Sequence, residues 1–230
     1  MDTTVLKDIP FRIDSDALLK SLKVKERSCY VEEIEDLIRQ AQAVARPKGI
    51  YGIAPVESRD GDSVVIEGIR FASRVLQVNL GEVHRVFPFV ATCGVEIEEW
   101  SKSIEGMWKR YWADVIKEAA VESVVKFLAE HLTQTYRPGP LAMMNPGSLQ
   151  DWPVTEQKNL FALFRGAAAS IGVQLMESCI MFPVKSVSGI WFPTVEGFEG
   201  CQLCPIKHCP KRRALYDESL YDQKYGRTAE

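Results

Sequence analysis

The chain has 230 residues, of which 46% are hydrophobic and 26% charged, and this length and composition are typical of one large globular domain. Its formal net charge of −3 gives no general attraction to nucleic acid or to anionic membranes. The sequence has neither an apolar run long enough to span a bilayer nor a basic and then apolar N-terminal segment, so we expect a cytoplasmic protein.

Two amphipathic helices are predicted near the N-terminus. Asp14 or Ser15 can cap a short helix that ends at Leu22. Residues 31–45 place apolar side chains on one helical face and charged side chains on the other. That pattern predicts a helix packed on a core.

A β-hairpin is predicted after these helices. Residues 50–56 and 63–69 are rich in β-forming side chains, and an Arg-Asp-Gly-Asp turn lies between them at 59–62. The apolar spacing from Phe71 onward then predicts a short helix that ends near residue 80.

The middle of the chain combines a buried strand with a long helix. Residues 86–92 read as a largely buried strand, in which Pro88 indicates an edge or a bulge because proline donates no backbone hydrogen bond. A short helix follows at 95–100. Residues 107–132 contain no glycine or proline and carry a wide apolar face, so we predict one long helix packed on a sheet. The first aromatic members of this face are Trp108, Tyr111 and Trp112.

A loop that leads into a helix is predicted from residue 145 onward. Pro146 and Gly147 form a turn pair, because proline presets its φ angle and glycine accepts a positive one. Pro153 suits the first turn of the helix that follows. Free backbone amides at such a helix start can bind the carboxylate or another anionic group of a ligand. The alternative is that the loop only connects two elements.

Several aromatic side chains in this half of the chain could line a ligand pocket. They are Trp152, Phe182, Trp191 and Phe192. A pocket of this kind could take an adenine ring or the edge of a corrin. Aromatic residues at strand spacing more often belong to a buried core, which is the alternative.

The segments 145–157 and 177–192 together resemble the activation domain of cobalamin-dependent methionine synthase. The matching residues are Pro146-Gly147, Asp151-Trp152-Pro153, Thr155-Glu156, Glu177-Ser178, Met181-Phe182-Pro183 and Ser186-Val187-Ser188-Gly189. The resemblance implies an α+β fold, in which helices, one of them long, pack on a twisted and mainly antiparallel sheet. It divides the chain into an activation-domain-like part at 1–200 and a cysteine-bearing C-terminal segment and tail at 201–230.

The resemblance also implies that the chain binds S-adenosylmethionine, whose methyl group passes to a cobalamin presented by a partner protein. Two contacts expected from the family are missing, because Met143 and Ser148 stand where it has an arginine and a tyrosine. The expected cofactor-binding residues are Asn145, Pro146, Gly147, Ser148, Asp151, Trp152, Ser188, Gly189, Trp191 and Phe198, with Arg137 reaching the site from an earlier turn.

Three of the six cysteines form a cluster, Cys201, Cys204 and Cys209. Thiolates at i and i+3 can share a metal ion, and the third cysteine could complete an iron–sulfur site. His208 could instead join them at a zinc ion. Redox-active thiols without metal and free cysteines are the alternatives. If the resemblance extends to Phe198, the cluster lies near the ligand site and could deliver an electron to the cobalt.

These observations lead to three functional hypotheses. The first is a reactivation factor that binds a corrinoid protein or methyltransferase in trans and supports reductive methylation or reduction of its cobalt. A separate electron donor is a further expected partner, and the sequence leaves open whether the chain is itself an enzyme. The second is a non-catalytic module that binds the corrinoid protein. The third is a small iron–sulfur electron carrier.

Overall fold

An antiparallel sheet organises the computed structural model, which describes residues 1–25 and 28–226. Its seven strands within these ranges pair in the order β4-β3-β2-β5-β9-β6, with β1 also paired to β2. The strands are β1 (Asp2–Leu6), β2 (Lys48–Asp60), β3 (Ser63–Ile66), β4 (Ile69–Ala72), β5 (Arg85–Thr92), β6 (Leu141–Met144) and β9 (Ser186–Pro193). A separate pair consists of β7 (Gln174–Leu175) and β8 (Met181–Phe182).

The helices of the described ranges lie around this sheet. They are α1 (Ser15–Ser21), α2 (Tyr30–Val44), α3 (Arg74–Asn79), α4 (Val95–Lys102), α5 (Met107–Tyr136) and α6 (Gln157–Leu163). The predicted hairpin and the helices predicted at 31–45, 95–100 and 107–132 are confirmed to within a few residues. In the part of the chain that the structure describes, no helix is both long and apolar enough to cross a bilayer.

The long helix α5 has thirty residues, of which the first half packs on α2 and α4 and the second half packs on the sheet. Its second half buries Val121, Val124 and Leu128 against Phe87 and Phe89 of β5. It ends at Arg137, which takes the left-handed conformation and donates its backbone N–H to the Thr133 carbonyl at 3.0 Å. The sequence overestimated the apolar face at the start of α5, because Trp108 is 59% exposed and Tyr111 is 52% exposed.

Two further predictions about the strands need correction. Pro88 does not mark an edge, because β5 lies between β2 and β9. The β2–β5 ladder pairs Tyr51 with Phe89 and Ala54 with Val86 but has no pair at Pro88. The N–H that proline lacks is therefore not needed for pairing with β2. Phe71 belongs to β4 rather than to a helix, and α3 starts only at Arg74.

The side chains of β9 alternate between two cores. Trp191 faces α5, where it joins Phe87, Phe89 and Leu128. Ile190 and Phe192 face the opposite core, which also contains Trp152 and residues of α3 and α6.

The C-terminal segment packs on this second core as well, through Leu203, Leu220 and Tyr225. Tyr225 lies in a turn of π-helix at Tyr221–Tyr225 and is 1% exposed, so it is not part of a frayed tail. Residues 227–230 of the predicted tail lie outside the described residues.

Candidate functional site

A cavity of about 470 Å³ lies between the long helix and the edge of the sheet. Its sheet side contains Met143 of β6 and Trp191 of β9, which are paired across the two strands. Its helix side contains Glu122 and Lys126 of α5. The remaining residues are Val121, Val125, Ala129, Leu141, Ala142, Val187, Phe198, Glu199 and Arg213. The cavity therefore gathers residues from four distant parts of the sequence.

Trp191 gives the cavity a flat apolar wall. Its ring stacks on Phe89, with 3.7 Å between the ring centroids and 14° between the planes. Only 4% of Trp191 is exposed, and Phe89 is fully buried behind it. The indole therefore contributes a small, rigid apolar patch to the cavity surface.

The rim of the cavity carries charges of both signs. Arg213 Nη2 lies 2.9 Å from Glu199 Oε2, and both side chains border the cavity. Lys211 donates to Glu122, which lines the cavity, and also to Glu118 one turn earlier on α5. Burial alone would lower the pKa of Lys211, but the two carboxylates outweigh it and raise that pKa. Lys211 is therefore a cation held at the mouth of the cavity.

A larger groove of about 680 Å³ lies elsewhere, between the ends of α3, β9 and the segment after α5. Its charged residues, among them His84, Arg85 and Glu196, are exposed. None of the cofactor-binding residues expected from the sequence lines it. The smaller cavity is the candidate site, because Trp191 and Phe198 meet there together with Met143.

The loop at 145–148 is attached to β9 rather than to the cavity. Asn145 Nδ2 donates to the Ser188 carbonyl at 2.8 Å. A Cβ at Gly189 would lie 2.4 Å from the same Asn145 nitrogen, so only glycine fits there. Gly147 has φ of 86° and donates its N–H to the Trp152 carbonyl at 2.7 Å. Pro146 is buried and Ser148 is exposed.

Asp151 and Trp152 serve the opposite face of the sheet. Asp151 Oδ2 accepts from the Val75 N–H at 3.0 Å and from the Ser73 hydroxyl, so it caps α3. Its other oxygen accepts from the Tyr221 hydroxyl at 3.3 Å. Trp152 is fully buried and packs edge-on against Phe71. The contacts of both residues are therefore structural.

Two other expected features also lie away from the cavity. Arg137 is exposed at the end of α5 and is not among the cavity residues. The helix predicted after Pro153 is a 3₁₀ turn at Val154–Glu156 followed by α6, which has only seven residues. Of the expected cofactor-binding residues, the structure thus brings Trp191 and Phe198 to the cavity, and Ser188 and Gly189 to the loop at 145–148.

The three clustered cysteines lie in a loop that Arg212 holds together. The Arg212 guanidinium donates to the carbonyls of Cys201 at 2.8 Å, Cys204 at 2.9 Å and Ala214 at 3.2 Å, and also to that of Ile206. Across the described residues, no group of three or more His, Cys, Asp or Glu side chains is arranged to hold a metal ion. The cysteines do not fit a metal in this conformation, and the metal site stays a prediction.

Cys201 differs from the other thiols in its environment. Its Sγ accepts the backbone N–H of Arg213 at 3.5 Å, and this hydrogen bond lowers the pKa of the thiol. A 3₁₀ turn at Gly200–Leu203 carries Cys201, and the Cys204 N–H closes it on the Cys201 carbonyl at 3.3 Å. The loop therefore places a thiol with a lowered pKa close to Glu199 and Arg213 of the cavity rim.

The architecture defines the class of the protein: an α+β domain with a ligand-sized cavity between a long helix and an antiparallel sheet. No protein family matches the sequence, and no curated protein sequence matches it. The chain is similar in fold to a crystal structure of the MetH reactivation domain bound to AdoHcy, with a TM-score of 0.59 and 16% sequence identity. The match covers 87% of this chain and 81% of that chain. It confirms the predicted α+β fold of the activation-domain type.

Sequence reasoning missed the charged residues of the cavity. Glu122 and Lys126 line the cavity, and they recur at helical spacing with Glu118, which contacts Lys211, along one side of α5. The spacing of these charged residues is visible in the sequence, but it does not distinguish residues that line a cavity from an ordinary solvent-exposed helix face. Arg213 and Lys211 come from the segment after the cysteines, and only tertiary structure places them against α5.

Proposed function

We propose that this chain is a reactivation component of a corrinoid methyltransferase system and that its cavity binds S-adenosylmethionine. The observation that carries the proposal is the cavity between α5 and the β6–β9 edge, in a fold shared with a reactivation domain that was crystallised with AdoHcy. The motif resemblance of residues 145–189 supports the same reading. S-adenosylmethionine would supply the methyl group, and a corrinoid protein bound in trans would receive it.

The residues of the cavity suit the parts of this ligand. The small part of the Trp191 ring that borders the cavity can contact the adenine ring, and stacking on Phe89 fixes its position. Glu122 can pair with the ligand's ammonium or sulfonium group, and Lys126 or Arg213 can pair with its carboxylate. These residues would bind and orient the ligand.

Calorimetry on the full chain tests the binding site. We expect micromolar affinity for S-adenosylmethionine, which corresponds to about −8 kcal/mol. Glu122→Gln should weaken binding about tenfold, or about 1.4 kcal/mol, because it removes the charge that faces the ligand's cation. Glu35→Gln, at an exposed carboxylate of α2 that does not line the cavity, is the control and should bind as the unmodified chain does.

A second candidate function is a docking module that binds the corrinoid protein without a nucleotide. Met143 favours it, because this apolar side chain lines the cavity at the position where the resemblance to the activation domain implies an arginine. Binding of a corrinoid protein without any affinity for S-adenosylmethionine would select this function. Restoration of an oxidised cobalt in a mixture of the two proteins would select the reactivation component. Iron and zinc analysis of the same preparation, purified without oxygen, tests the electron-carrier alternative.

A further inference from the structure

Residues 199–213 form a strap that connects the second core to the outer side of α5. The strap starts at Glu199 beside the cavity and returns to the cavity at Arg213. Between these residues, Lys211 reaches α5 and donates to the carboxylates of Glu118 and Glu122. The strap therefore borders the cavity at both ends and is attached to one of its binding residues.

The strap is held as one unit. Arg212 donates to backbone carbonyls along it, at Cys201, Cys204 and Ile206. Its neighbours Lys211 and Arg213 extend to Glu122 and Glu199 respectively. Arg212 therefore joins the backbone of the strap internally, and the side chains of Lys211 and Arg213 are its charged contacts with the cavity rim.

The contacts of Lys211 with Glu118 and Glu122 are the outermost members of a series of ion pairs along α5. Its inner end is the buried pair Lys117–Glu98, with 3.0 Å between Nζ and Oε2. Lys117 Nζ lies 3.7 Å from Asp114, and Lys185 Nζ lies 2.9 Å from Asp114 and 3.7 Å from Glu118. Lys211 completes the series.

The two ends of this series differ in exposure. The side chains of Lys117 and Glu98 are each 9% exposed, whereas that of Lys211 is 54% exposed. Exposed ion pairs are weak and screened by salt, while buried pairs persist. The strap is thus bound to α5 through the exposed ion pairs of Lys211, which break more readily than the buried pair of Lys117 and Glu98.

We propose that Lys211 is an internal cation that occupies the cavity carboxylate Glu122, and that the strap keeps the cavity closed until a cationic ligand displaces it. The class of ligand is a molecule that carries an ammonium or sulfonium group beside a planar ring. The choice of S-adenosylmethionine as the probe rests on the proposed function. The closure itself rests on the contacts of Lys211, Arg212 and Arg213.

Hydrogen–deuterium exchange on the full chain tests the closure without any ligand. Lys211→Met keeps the aliphatic stem and removes the charge, so amides of the strap should exchange severalfold faster. Lys207→Met, at an exposed lysine of the same strap, is the matched control and should leave exchange unchanged. Raising the salt concentration should speed exchange in the unmodified chain and not in Lys211→Met. Equal exchange rates in the unmodified chain and Lys211→Met would overturn the proposal.

Calorimetry with S-adenosylmethionine tests the competition. Lys211→Met should bind it three- to tenfold more tightly than the unmodified chain, because Glu122 is then free. Equal or weaker binding by Lys211→Met would overturn the competition. Faster strap exchange in Lys211→Met with no binding to any variant would support the closure and reject the methyl-donor site of the proposed function.

Discussion

The two faces of β9 differ in what their packing permits. On one face, Trp191 borders a cavity whose charged rim comes from α5 and the strap. On the other, Ile190 and Phe192 are buried in a continuous core with Trp152. Alternation along a single strand therefore separates a candidate binding site from a structural core. Of the residues expected to bind the cofactor, Trp152 is buried in that core and Asp151 accepts hydrogen bonds at the start of α3, whereas Trp191 and Phe198 border the candidate cavity.

The largest loss of stability is expected from Trp152→Ala, which leaves a cavity in the core on the side of β9 that carries Ile190 and Phe192. Trp152 is fully buried against Phe71, so its removal should lower the free energy of unfolding by about 4 kcal/mol. Urea unfolding followed by circular dichroism measures this loss. Ligand affinity, measured well below the unfolding midpoint, should stay within twofold of the unmodified chain.

Trp152→Phe provides the control for this variant. The indole Nε1 is buried without a hydrogen-bond partner among the described residues, so phenylalanine keeps most of the packing and sacrifices no hydrogen bond. Its loss of stability should be much smaller than that of Trp152→Ala. A variant of Trp152 that keeps its stability but loses ligand affinity would contradict the separation of the two faces.

A smaller effect is expected from Asp151→Ala, which removes the cap on α3. The carboxylate accepts from the Val75 N–H and the Ser73 hydroxyl, and losing such a cap costs about 1 kcal/mol. Thermal unfolding should show the lower stability, and amides of α3 should exchange faster. Asp151→Asn retains an acceptor oxygen and should recover part of the loss. If Asp151→Ala left stability unchanged and weakened ligand binding, the residue would belong to the site after all.

The fold was predictable because its signals are local. The long stretch of α5 without glycine or proline and the turn between β2 and β3 can both be recognised from residue type and spacing. The errors at Pro88 and Phe71 arose where tertiary pairing decides the outcome. A proline inside a central strand is tolerated here because the β2–β5 ladder omits the pair at Pro88 and the next one at Phe87, and no local pattern reveals that omission.

The site was less predictable because it is assembled from distant segments. The sequence motif identified Trp191 and Phe198, which lie in the cavity. It also selected Arg137, which lies outside the cavity at the end of α5. The contact between Lys211 and Glu122 spans 89 residues of sequence and depends on long side chains that meet only after folding. Nothing in the local sequence of either residue specifies its partner.

The smallest expected effect concerns the thiols, and it sharpens the contrast between the core and the strap. Burial raises the pKa of Cys93 to about 12, whereas the Arg213 N–H lowers that of Cys201. Because the thiolate is the reactive form, iodoacetamide at pH 8 should alkylate Cys201 before Cys93 in the native chain. Peptide mass spectrometry at successive times measures the order. Denaturation should abolish the difference, and equal rates in the native chain would contradict the structural assignment. If a metal joined Cys201, Cys204 and Cys209, these thiols would instead be protected together until a chelator removed it.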